Sequence, residues 1–146
     1  MKTESKNDGM ARAWLFTITN IGFMMVIWLI DACLAALLPE IAEIYEGVTI
    51  VQGAQLVTTY NVGFMLASFI FGPLGDVLSR YKLILIAGLL FLLVGILFAL
   101  VRNFPAALLL RFAGGFCGGM LTVNLWSGLI HEVPKKHFGT AIGLMA

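Results

Sequence analysis

Gly72-Pro73-Leu74-Gly75-Asp76-Val77-Leu78-Ser79-Arg80-Tyr81-Lys82 is the stretch whose reading decides the fold. It gathers Asp76, Arg80 and Lys82 between two runs, Ile50 to Phe71 and Leu83 to Val101, that carry no charged residue. Charge is costly in hydrocarbon, so a short charged hinge between two membrane-length apolar runs belongs at a water–membrane boundary. The flanking runs are then transmembrane helices, and the rest of the chain is placed outward from the hinge.

Composition agrees. Of 146 residues, 60% are hydrophobic and 12% charged, and the mean hydropathy is +0.98. Soluble domains carry about 25% charged residues. This chain reads as an integral membrane protein and not as an enzyme with a water-filled active site. No phosphate loop, metal cluster, nucleophile–base set or nucleic-acid patch is present, and no cofactor is expected. Cys33 and Cys117 lie in apolar runs and read as small packing residues rather than a disulfide framework.

The predicted fold class is an all-α membrane protein with transmembrane helices over about 14–38, 50–71, 83–101 and 106–130, and a fifth beginning near Phe138. Residues 1–13 read as a mobile polar tail on the cytoplasmic side. The first run, Trp14 to Leu38, exceeds the roughly 7–15 residues of a signal-peptide core and contains Asp31. It therefore reads as a retained helix. Pro39, Pro73, Pro105 and Pro134 all fall at predicted boundaries, where a missing N–H costs least. Glu40, Glu43 and Glu46 make an acidic connection after the first helix. Placing the N-terminus inside collects Lys2, Lys6, Arg12, Arg80, Lys82, Lys135 and Lys136 on the inner face and leaves Arg102 outside, a strong positive-inside bias. A multi-pass protein of the cell membrane, in contact with the bilayer throughout, is the expectation.

Two ionisable residues lie within helices. Asp31 is about 10 Å below the outer end of the first helix, and Arg111 about 9 Å below that of the fourth. Their matched depths allow pairing if the two helices are neighbours, and intramembrane charges pair or line a wet cavity. Substrate or proton handling is one reading, a structural ion pair the other. On a helical wheel Asn20, Met24 and Asp31 share a face, as do Arg111, Gly115, Gly118 and Thr122 on the fourth helix. Asn61, Ser68 and Gly72 share one on the second, where Tyr60 is a further solute-contact candidate. Each stripe alone is also what ordinary packing produces. The third helix has no polar stripe and is expected toward lipid. Gly114/Gly118 and Gly115/Gly119 form overlapping small-xxx-small pairs suited to close helix approach.

Gly72-x-x-x-Asp76-x-x-x-Arg80 between a second and third helix resembles the signature loop of the major facilitator superfamily. Leu38-Pro39-Glu40-Ile41-Ala42, the Gly72-Pro73-Leu74-x-Asp76 wording of the drug–proton antiporter branch, and Arg111 followed by Gly115 are similar to further motifs of that family. Val77 and Ser79 stand where the family usually carries a basic residue and a glycine. The resemblance implies the N-terminal part of a twelve-helix secondary transporter of a small solute, driven by protons. It implies a charge latch at Asp76 and Arg80 against a missing C-terminal part. It also implies proton coupling at Arg111, with Asp31 a candidate carboxylate. The alternative is a non-transporting four-helix membrane partner or assembly protein.

Overall fold

The computed structural model describes residues 2–45, 47–75, 78–132, 139 and 143. Asp76, Val77, the Lys135-Lys136-His137 hinge and nearly all of the expected fifth helix lie outside the described residues. The chain folds as α1 (Lys2–Ala36), α2 (Leu38–Ile44), α3 (Ile50–Gly53), α4 (Gln55–Leu74), α5 (Arg80–Leu100) and α6 (Phe104–Glu132). Spans long and apolar enough to cross a membrane are Thr17–Ala36, Ile50–Leu74, Arg80–Leu100 and Phe104–Gly128. The protein is thus an all-helical, multi-pass membrane protein.

Boundaries differ from the sequence reading in several places, and α6 begins at Phe104, ahead of Pro105. The polar residues from Lys2 onward are helical and continuous with the first span. Pro39 does not leave an irregular connection: it sits in the first turn of α2, where its missing N–H has no partner to lose. Pro73 lies inside α4, which runs one residue past it. The helix can hold it there because only the last turn is disturbed. Finally, α5 begins at Arg80, not Leu83, behind an extended Ser79. Arg80 and Lys82 have long stems that let their charges stay at the boundary while their backbone is already helical.

Thr49 starts the second span with a reciprocal cap. Its hydroxyl accepts from the Gln52 amide at 3.3 Å, and the Gln52 side chain accepts from the Thr49 amide at 2.9 Å. Ala54 then keeps right-handed helical angles, so α3 and α4 form one span with a small offset.

The axis of the bundle is α6. It packs extensively against α4 and α5 and touches α1, whereas α1 and α4 meet only slightly. Glycine determines the α4–α6 seam. A Cβ at Gly63 would collide with the Phe112 carbonyl, one at Gly115 with the Tyr60 carbonyl, and one at Gly119 with the Phe64 carbonyl. Such main-chain proximity gives dispersion contacts that apolar burial cannot supply in lipid. Outward, large apolar side chains such as Phe69, Val51 and Leu89 are exposed.

Two packed clusters mark the ends. Toward the Gly75–Arg80 hinge, Met24 and Ile27 of α1 meet Leu83 and Ala87 of α5, and Met120, Leu121 and Leu125 of α6. At the other end, Leu34, Ile41, Tyr45, Leu56 and Ala107 form a roof over the bundle. Tyr45 donates to the Val101 carbonyl at 3.1 Å and stands edge-on to Phe104, tying the α2 connection to the α5–α6 turn. Tyr45→Phe is expected to lower stability by about 1 kcal/mol, measured by unfolding in mixed micelles. Burial pushes the Tyr45 phenol above its ordinary value. Its contribution is full below that value and falls as pH rises past about 10, because the unfolded chain gives up this proton first.

Candidate functional site

Arg111 of α6 is surrounded by three helices, α1, α4 and α5. The guanidinium donates from Nη2 to Asp31 Oδ1 at 2.7 Å, joining α6 to α1. Its Nε donates to the Leu56 carbonyl of α4 at 3.4 Å. The cation also lies 4.5 Å from the Tyr60 ring centroid and 5.6 Å from that of Phe98 on α5. Each contact answers a cost. An arginine or aspartate at mid-membrane costs about 2.5–3.5 kcal/mol on insertion scales, and pairing, a carbonyl and aromatic faces offset it. The Leu56 carbonyl belongs to a helical backbone already bonded once, and uses its second lone pair.

The pair is not symmetrical in exposure. The Arg111 side chain is 6% exposed and that of Asp31 is 19%. Asp31 borders a small cleft of about 30 Å³ with Ile27, Trp28, Tyr60, Asn61 and Phe64. On the far side, Arg111 borders a larger, mainly apolar cavity of about 310 Å³ with Phe91, Val94 and Phe98. The arrangement holds an acid that borders a small cleft and is bound to a more deeply buried cation.

The other sequence candidates are placed as follows. Tyr60 is buried, stacked on Phe64, and brought to the ion pair. Asn61 is exposed, with its amide on the Val57 carbonyl at 3.0 Å, although it edges the Asp31 cleft. Ser68 bonds its own helix at the Phe64 carbonyl. The Asn61–Ser68–Gly72 stripe is therefore not the inward face of α4, which is Leu56, Tyr60, Gly63 and Ala67. The small residues that let α4 meet α6 set that rotation. Asn20 is 1% exposed and sits three turns from Asp31 along α1. It does not join the ion pair. Gly114, Gly115, Gly118 and Gly119 are all buried, with Gly115 and Gly119 against α4, Gly114 against Val94 of α5 and Gly118 against the Tyr60 hydroxyl. Gly72 has only Val123 nearby. Arg80 donates from Nε to the Gly75 carbonyl at 3.2 Å and from Nη1 to the Ser127 carbonyl at 3.3 Å, clamping the hinge onto α6. Among the described residues no group of three metal-type ligands occurs.

Sequence reasoning missed Thr17 and Asn124, both 1% exposed. Thr17 repeats the Asn20–Met24–Ile27 spacing of the buried face of α1, which was the available signal. Asn124 lies off the Arg111 face, and the wheel gave no reason to choose it.

Comparison with known proteins decides the relationship. The Major Facilitator Superfamily profile matches residues 13–146. The chain belongs to the major facilitator superfamily. Relatives in Bacillus subtilis (strain 168) include the MFS-type transporter YfiU, 30% identical over 143 residues, and the MFS-type transporter YceJ, 32% identical over 136. These matches cover 98% and 92% of this chain but 27% and 33% of the relatives. The MFS-type transporter atr4 of Stereocaulon alpinum is 25% identical over 133 residues, covering 90% of this chain and 24% of its own length. The chain thus spans about a third or less of the curated relatives it matches. No solved structure matches it. The superfamily is one of transporters rather than enzymes.

Proposed function

We propose that the chain serves a secondary active transporter of a small solute, driven by protons, in the cell membrane with its N-terminus in the cytoplasm. The observation that carries this reading is the Asp31–Arg111 pair: a membrane-embedded carboxylate, open to a cleft, on a buried cation. A carboxylate alternately paired with and released from arginine takes up a proton when the pair opens and sheds it when the pair re-forms. A solute held by the completed transporter beside Tyr60 and Asn61 competes for the same acid, which would link solute and proton movement. The remainder of the transporter is proposed to complete the solute site, and the Gly72–Lys82 hinge to contact it as a latch. The Arg80 clamp supports a fixed position for that hinge.

The test is Asp31→Asn in the transporter reconstituted in vesicles with an imposed pH gradient, scanned over a panel of labelled small solutes. Proton-driven uptake should fall to the level of empty vesicles while membrane insertion is retained. Uptake unchanged by the substitution would overturn proton coupling at Asp31. A monodisperse assembly with no transport of any solute would instead favour a four-helix partner protein.

A further inference from the structure

Eleven residues make three turns of helix plus about 20°. Asn20 lies eleven residues before Asp31 on α1, and Thr122 eleven residues after Arg111 on α6. These helices are in contact and run in opposite directions, since the C-terminal part of α1 and the start of α6 share the roof cluster. Asn20 and Thr122 therefore return to the two faces that carry the ion pair, at one common depth about 16 Å nearer the hinge. The intervening level agrees: Met24 packs in one cluster with Met120 and Leu121.

At the Asn20 level the side chains have polar atoms that no described residue satisfies. Asn20 Oδ1 and Nδ2 and Thr122 Oγ1 are buried without a hydrogen-bond partner. One step toward the ion pair, Tyr60 Oη is buried and unpartnered as well. It lies over Gly118, where a Cβ would stand 2.7 Å from it, and Gly118 is one turn before Thr122. One turn is about 6 Å, close to the span of two hydrogen bonds through one water oxygen. Buried polar atoms with no protein partner are characteristically bridged by ordered water making about three bonds.

We propose that Asn20, Thr122 and Tyr60 form a built water-binding site between α1 and α6, a hydrated chamber on the hinge side of the ion pair. Asn20 supplies donors and an acceptor, and the two hydroxyls supply both, so the set satisfies a water molecule in any orientation. Tyr60 bridges the chamber to Arg111, because its ring lies on the guanidinium and its hydroxyl points into the chamber. On the proton-coupling reading, which this extension rests on, the chamber is where a proton released at Asp31 is first received on the hinge side.

Millisecond X-ray radiolytic footprinting of the protein in lipid nanodiscs tests the chamber without requiring transport. Radicals form from water bound in place, so Tyr60 and Met24 should be oxidised despite being buried from bulk solvent. Their oxidation should fall about tenfold in Asn20→Leu with Thr122→Val, because a bridging water needs two or more polar partners. Thr122→Val alone, a near-isosteric change, should give a partial fall and guards against loss of folding in the double variant. Background labelling of Tyr60 and Met24 in the wild type would overturn the site. So would a rise in melting temperature on Asn20→Leu, the mark of an amide that was dry. Asp31→Asn uptake is read separately, so a dry chamber with coupling intact sinks the chamber alone, and a labelled chamber without coupling sinks the coupling alone.

Discussion

Arg111→Leu is expected to destabilise the bundle by about 3–5 kcal/mol, the cost of leaving one partner of a buried ion pair behind. The loss has several parts. Asp31 keeps its place beside the roof cluster without the Nη2 donor at 2.7 Å. The Leu56 carbonyl loses its second donor, and the Tyr60 and Phe98 faces lose the cation between them. Leucine also removes a polar contact that draws α1, α4, α5 and α6 to a single point. Asp31→Leu with Arg111→Leu should recover most of the stability, since no uncompensated charge remains and the cavity beside Phe98 is already apolar. The two single variants and the double form a cycle whose interaction term should reach about 2–3 kcal/mol, read from unfolding in mixed micelles. Additive losses would mean that the two charges do not depend on each other.

Gly115→Ala should be the most damaging glycine-to-alanine change among the described residues. A Cβ there collides with the carbonyl, carbon and Cα of Tyr60, all main-chain atoms that cannot rotate away. Overpacking of this kind costs up to about 3 kcal/mol, and the better helix propensity of alanine returns up to about 1. A net loss of about 2 kcal/mol is expected, with Arg111 shifted off the Tyr60 ring as the helices part. Gly88→Ala supplies the contrast. Nothing stands within 4 Å of a Cβ at Gly88 on α5, so stability should be unchanged or slightly raised. Equal losses at the two sites would show that the α4–α6 seam is looser than its geometry requires.

The ion pair was legible in the sequence because a charge inside an apolar run is conspicuous, and because Asp31 and Arg111 sit at equal distances from their helix ends. Pairing follows once α1 and α6 are neighbours, which no single helix can reveal. The glycines of α6 were legible as a small face, but not their counterpart. Gly63 reads as an ordinary glycine until the Phe112 and Phe116 backbones are set against it. The same missing partner misplaced Asn61: a wheel ranks polar residues, whereas the rotation of α4 was set by where its small residues could dock. Helix ends were off by a few residues wherever a proline or a charge is compatible with a first or last turn, as at Pro39, Pro73 and Arg80. Asn20 stood out as polar on the right face. That it lacks a protein partner depends on what surrounds it.

The central place of α6 also bears on how the protein is made. The first three spans to leave the ribosome have little to hold them together: α5 makes its main contacts with α6, and α1 and α4 touch only slightly. They enter the bilayer as separate rods and wait. The fourth span arrives carrying the glycines for α4, the arginine for Asp31 and the apolar face for α5, and it gathers all three. Until then Asp31 has no cation and must be tolerated by the insertion machinery as the one charged residue of the span Thr17–Ala36. Synthesis halted before Phe104 should therefore leave a set of inserted but unassembled helices, exposed to membrane quality control, and release of the next thirty or so residues should convert it to a single body.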